Sequence, residues 1–206
     1  MMANEVTDTI IQKLKANIIF APTVGQDRLF YVFSRFLIST KSRCALLIRG
    51  YAGTGKTTCI SAKVNTLNEL GIESVLLAPT GRAAKVMSNY SSISASTIHR
   101  EIYNQKSDKN GNSYFELRDN ERKDTVYIVD EASMIDVALF AKLLDAVGPH
   151  TRLILLGDKN QLASVEAGSM FGDLCNAVEG TNLFTNTTAD FINQFILTKE
   201  CTIADE

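Results

Sequence analysis

Apolar positions along this chain follow two rhythms. Residues 10, 11, 14, 18 and 19 recur at helical spacing behind Thr7, which predicts a helix over 7–19 with Thr7 as its N-cap. Ala21-Pro22-Thr23 interrupts that period. Leu29, Phe30, Val32, Phe33, Phe36 and Leu37 then predict a second helix from Thr23 to about Ser39. Four other stretches are continuous apolar runs of strand length: 44–49 (CALLIR), 74–78 (SVLLA), 125–129 (TVYIV) and 152–156 (RLILL). Helical patterns separate them at 56–70, 82–90 and 135–147. Gly71 fits the C′ position of the first of these, and Gly148-Pro149 closes the last. A strand, a crossover helix and a second apolar strand make a βαβ unit. The predicted fold is therefore α/β, a parallel β-sheet flanked by helices on both faces.

The remaining segments are less regular. Ser96 or Thr97 can cap a short helix, TIHREIYN, and Ser169 to Ala177 reads as helix. Residues 105–124 are the most polar stretch. Asn110-Gly111 inside it, flanked by Ile102/Tyr103 and Tyr114/Phe115/Leu117, signals a small hairpin over about 102–118. A mobile surface loop is the other reading of the same residues. Beyond Glu179 the pattern weakens to helical hints, with FILT as a short strand.

Chemistry enters at the end of the first strand. Gly50-Tyr51-Ala52-Gly53-Thr54-Gly55-Lys56-Thr57 is a complete G-x-x-x-x-G-K-[ST] pattern. Glycines let backbone N–H groups curl around an anion, and the following helix adds its positive end. Lys56 supplies a point charge for the β- and γ-phosphates of ATP, and the Thr57 hydroxyl suits Mg²⁺. The strand 125–129 ends in Asp130-Glu131. Asp130 can hold Mg²⁺ through water, and Glu131 can orient and deprotonate an attacking water. Gln161, just past the strand 152–156, lies on the ligand edge of the sheet, within reach of a γ-phosphate or its water.

Composition narrows the class. At 206 residues the chain has room for one substantial core, one domain plus a tail. A net charge of −2 removes any global basic footprint for nucleic acid, though not a local groove. Cys44, Cys59, Cys175 and Cys201 are scattered without C-x-x-C spacing, which reads as reduced thiols and no metal site. The N-terminus lacks a signal-peptide core and no apolar run approaches the ~20 residues of a membrane span. A soluble, cytoplasmic protein is expected.

LIRGYAGTGKTT, LLAPTGRAAKVMS, STIHR, VYIVDEASMID and LILLGDKNQLASVEAGSMFGDL, in this order, resemble the motifs of superfamily 1 DNA helicases. Within these the chain is most similar to the exonuclease V alpha-subunit (RecD-like) branch, which moves 5′ to 3′, over residues 20–176. The resemblance implies a RecA-like P-loop NTPase fold. It implies nucleotide contacts from Gly53, Thr54, Gly55, Lys56, Thr57 and Thr58, with Gln26 reading the adenine. It further implies Mg²⁺ at Thr57 and Asp130, catalysis by Lys56 and Glu131, and γ-phosphate sensing by Gln161. Thr80, Gly81 and Arg82 match the segment that contacts single-stranded DNA, as do Thr97 and His99. For His99, a histidine satisfied within a helix surface is the alternative. The Asn110-Gly111 hairpin falls where relatives carry a wedge that parts the duplex.

These motors have two RecA-like domains with ATP between them, the second supplying an arginine finger. The expected organisation is a helical segment over 1–22, a motor domain over 23–177, and a tail or the start of a second motor domain over 178–206. A first motor domain, excised or truncated, is the reading. A nucleotide-dependent DNA-binding or assembly switch without helicase activity is the alternative. A nuclease or a small-molecule kinase finds no support in the motifs.

Overall fold

The strands that read as unbroken apolar runs are covered on both faces. Strand β1 (Cys44–Arg49) is buried at all six positions, and β6 (Val126–Val129) at all four. With β2 (Ser74–Ala78), β3 (Ala95–Thr97), β7 (Arg152–Gly157) and β8 (Ile196–Leu197) they form one sheet in the order β3-β2-β6-β7-β1-β8. Every neighbouring pair is parallel, with Leu46 opposite Ile154 and Leu77 opposite Val129. The computed structural model describes residues 2–40, 44–50, 56–91, 93–119, 122, 124–148, 151–158, 169–179 and 196–197.

Alternation along the strands divides the core in two. Leu46, Ile48, Ile128, Ile154 and Leu156 face α1 (Met2–Ala16), α2 (Val24–Ile38) and α3 (Lys56–Glu69). Leu47, Leu77, Val129, Leu153 and Leu155 face α5 (Ile98–Ile102), α6 (Val137–Ala146) and α7 (Met170–Glu179). Helix α4 (Gly81–Tyr90) buries Met87 on the α3 side. The result is the expected three-layer α/β arrangement. Helix α1 does not stand apart from it, since Ile10 and Leu14 enter the same core cluster as Phe30 and Phe33. Among the described residues no helix is long and apolar enough to cross a membrane.

Several boundaries differ from the sequence-based expectation, each for a local reason. Helix α1 starts at Met2, so Thr7 is a buried interior residue and not the N-cap. Helix α6 starts at Val137, capped by the Asp136 carboxylate accepting from the Leu139 N–H (2.7 Å). Upstream, Ala132–Met134 form a 3₁₀ turn that lets Ile135 drop into the core. The hairpin exists, pairing β4 (Tyr103–Ser107) with β5 (Ser113–Leu117), but its connection spans 108–112 and is not a two-residue Asn-Gly turn. The Asp108 carboxylate closes that loop by accepting from the backbone N–H groups of Asn110 and Asn112 (2.8 Å each), with Gly111 at φ +83°.

Candidate functional site

In a parallel sheet the carboxyl ends of all strands lie on one edge, where ligands of open α/β sheets bind. In strand order, that edge carries Thr97 at the end of β3, Thr80 after β2, Asp130 and Glu131 after β6, Asp158 after β7, and Gly50 after β1. The backbone extends the ladder into this edge. The Asp130 N–H donates to the Leu77 carbonyl (2.9 Å) and the Gly50 N–H to the Gly157 carbonyl (3.2 Å). The predicted acid pair is thus anchored in the middle of the edge, with β2 on one side and β7 beside β1 on the other.

Lys56 is the first residue of α3, and its ammonium donates to the Gly50 carbonyl, joining the two ends of the phosphate loop. Residues 51–55, with Gly53, Thr54 and Gly55, lie outside the described residues, as does Gln161. Thr57 and Thr58 belong to the first turn of α3, and Thr58 is exposed.

Asp130 and Glu131 are both half-buried. Burial pushes the Asp130 carboxyl above its usual range, while the Glu131 N–H, Lys56 and Lys63 oppose that rise. The Glu131 N–H donates to Asp130 Oδ1 (2.9 Å), which fixes one carboxylate oxygen. Glu131 is raised as well, by burial first and then by the negative charges of Asp130 and Asp158, against Lys56. Its backbone is left-handed (φ 55°, ψ 38°), an uncommon conformation for a residue with a Cβ, and it turns the chain from β6 into the 3₁₀ segment. Among the described residues no three acids, histidines or cysteines converge into a ready-made metal cage. The Asp130 and Glu131 carboxylates offer hard oxygen donors of the kind a divalent cation takes. An acid held above its normal range suits the acceptance of a proton from water.

The candidate DNA residues occupy the other end of the same edge. Thr80, Gly81 and Arg82 are all exposed at the start of α4, and Thr97 is half-buried. The Thr80 hydroxyl oxygen accepts from the Ala83 N–H (3.2 Å), and that of Thr97 accepts from the Arg100 N–H (3.2 Å). Both threonines therefore cap helices, and an O–H that accepts in this way can still donate. His99 is exposed, so it is not satisfied inside a packing surface. Its ring stacks on Tyr103 (6.2 Å), which meets Phe115 of β5 edge-on (6.3 Å). Gln26 already has a local role, a capping box with Thr23. Its side chain accepts from the Thr23 N–H (3.0 Å) and its own N–H donates to Thr23 Oγ1 (3.3 Å).

Two residues near the site do not stand out in the sequence. Asp158 is buried at the end of β7, and its signal is the same as that of Asp130, an apolar strand ending in an acid. Lys63 is fully buried on α3, seven residues after Lys56, within the buried set Cys59, Ile60, Val64 and Leu67. A lysine on the apolar face of a predicted helix is the available clue.

A family model described as "AAA domain" matches residues 35–188. The chain is 37% identical over 160 residues to the RecBCD enzyme subunit RecD of Haemophilus influenzae, covering 64% of this chain and 24% of that protein. It is 38% identical over 126 residues to the ATP-dependent RecD2 DNA helicase of Deinococcus radiodurans (60% and 16%). It is 35% identical over 149 residues to the ATP-dependent DNA helicase dda of phage T4 (71% and 34%). The chain thus spans about a third or less of the length of these relatives. With the match running from α2 through the phosphate loop, the acid pair and α7, this chain belongs to the AAA domain family.

Proposed function

We propose that this chain is the nucleotide-binding motor domain of an ATP-dependent, RecD-like DNA helicase, coupling ATP hydrolysis to movement on single-stranded DNA, 5′ to 3′. The observation that carries this reading is the order of groups on the carboxyl edge: Thr80, Arg82 and Thr97 at one end, Lys56 at the other, and Asp130/Glu131 between. Lys56 holds the β- and γ-phosphates. Thr57 and Asp130 would hold Mg²⁺, which neutralises phosphate charge when bound. Glu131 accepts the proton of the attacking water, and Gln161 orients that water. The backbone N–H groups at the start of α4, with Arg82 and the two threonine hydroxyls, take DNA phosphates. Gln26 reads the adenine through the part of its carboxamide not used in the cap. The hairpin β4–β5 presents Phe115 where the duplex would part.

A second RecA-like domain supplies the arginine finger in this proposal, a contribution of ~10³–10⁵ in rate. The 206-residue chain alone should then bind Mg-ATP weakly, hydrolyse it slowly and leave duplexes intact. Titration of a fluorescent ATP analogue tests the reading. Lys56→Ala should lose binding with the fold retained, and unchanged affinity would sink it. Robust unwinding by the isolated chain would refute the need for a second domain. A switch module without a DNA track would bind single-stranded DNA equally in wild type and in the Arg82→Ala, Thr97→Ala pair.

A further inference from the structure

Helices α3 and α4 leave the ligand edge at its two ends, α3 from Lys56 and α4 from Gly81 and Arg82. They share a core cluster, in which Met87 of α4 joins Ile60 and Val64 of α3. Apolar burial has no direction, so it fixes the spacing of two helices better than their register. A directional bond also joins them. The Ser61 hydroxyl of α3 donates to the carbonyl of Tyr90, the last residue of α4. Carbonyls in the last turn of a helix lack partners within the helix, and at an exposed end water can serve them. Tyr90 is exposed, so the fold does not need Ser61 to satisfy that carbonyl. Ser61 lies four residues beyond Thr57, ~6 Å along the helix axis, and so belongs to the part of α3 nearest the loop. The other flank of α4 is tied to the sheet. The Ser88 hydroxyl donates to the Ala84 carbonyl (2.9 Å) and accepts from the Ala95 N–H (2.8 Å) of β3, the strand that ends in Thr97.

We propose that Ser61 is a positioning residue that couples the nucleotide end of the edge to its DNA end, by fixing the carboxyl end of α4 to α3. The inference rests on the proposed assignment of those two ends. A shift of α3 on phosphate binding carries the last turn of α4 with it. Helix α4 in turn sets the placement of Thr80 and Arg82 and, through Ser88, of β3 and Thr97. Without the Ser61 bond the two helices slide on their apolar contact, and each ligand binds as if the other were absent. The coupling is reciprocal: nucleotide alters DNA affinity by the same factor by which DNA alters nucleotide affinity.

Titrations on the 206-residue chain test it. The affinity of a fluorescent single-stranded oligonucleotide is measured with and without a saturating, non-hydrolysable ATP analogue and Mg²⁺, and the ratio reads the coupling. Wild type should give a ratio several-fold away from one. Ser61→Ala should bring the ratio to one, while each ligand alone binds as in wild type. Ser61→Thr, which keeps the hydroxyl, should restore it. Alanine is the best helix former, so Ser61→Ala retains α3. A role confined to stability predicts a lower Tm in Ser61→Ala with the wild-type ratio, and that result overturns the proposal. A wild-type ratio of one with both ligands bound overturns it too, and leaves the assignment of the two ends standing. A wild type that binds no nucleotide refutes that assignment, and the coupling falls with it.

Discussion

Burial of ionisable groups is concentrated where chemistry is proposed, and it has a measurable cost at the level of single residues. Lys63 is lowered from 10.5 to about 8 by burial, with Cys59 and Asp130 pulling the other way. The sign follows from proton binding. Between pH 8 and 10.5 the unfolded chain holds this proton and the folded chain does not, so stability rises with pH across that window. Below it the full penalty applies, on the order of 3 kcal/mol from linkage. Urea unfolding should show that rise in wild type and a flatter profile in Lys63→Met. Glu131 has the opposite charge and a related burden, with left-handed backbone, two acidic neighbours and a half-buried carboxyl. Glu131→Gln removes the repulsion and should raise Tm while lowering the hydrolysis rate by ~10² or more, the usual trade of stability against function. A variant less stable than wild type would contradict this account of the acid cluster.

At the scale of elements, the end of β7 is held by a glycine that leaves no room. A Cβ at Gly157 would lie 2.8 Å from the ring of Phe171, itself buried on α7. Gly157→Ala should destabilise by ~1–3 kcal/mol through overpacking, and Phe171→Leu in the same chain should recover part of the loss in a thermal melt. The strands were legible because parallel strands covered on both faces leave continuous apolar runs, as in residues 44–49 and 152–156. Strand β3 was not legible. Its three residues, Ala95, Ser96 and Thr97, are half-buried and pair along one side with β2, so they carry no apolar run. The hairpin was legible in its flanks, but the Asp108 carboxylate set its turn, a side-chain device that dipeptide preference does not describe. The acid pair and Lys56 were readable from spacing. Asp158 carries the same strand-end signal as Asp130, whereas Lys63 was not legible, because its burial depends on how α3 packs on the sheet.

Across the whole molecule, strand order converts sequence order into a spatial one. Thr80 follows β2 and Thr97 ends β3, strands consecutive in the chain and adjacent in the sheet, while the phosphate loop follows β1, beyond β6 and β7. The acid pair at β6 lies between the two ends, bonded through the Asp130 N–H to β2 and through β7 to the loop strand. On the proposed assignment, this separation makes the two binding functions individually removable. Arg82 is exposed at the β2 end, so Arg82→Ala should weaken single-stranded DNA uniformly across sequences. It should also reduce the slope of log affinity against log salt by ~0.7, the loss of one phosphate contact on a single strand. ATP-analogue affinity in that variant should stay at the wild-type value, because Arg82 is separated from the loop by the strands β6 and β7. A matching loss of both ligands would mean that the edge responds as one cooperative surface, and the assignment of its two ends to DNA and nucleotide would have to be redrawn.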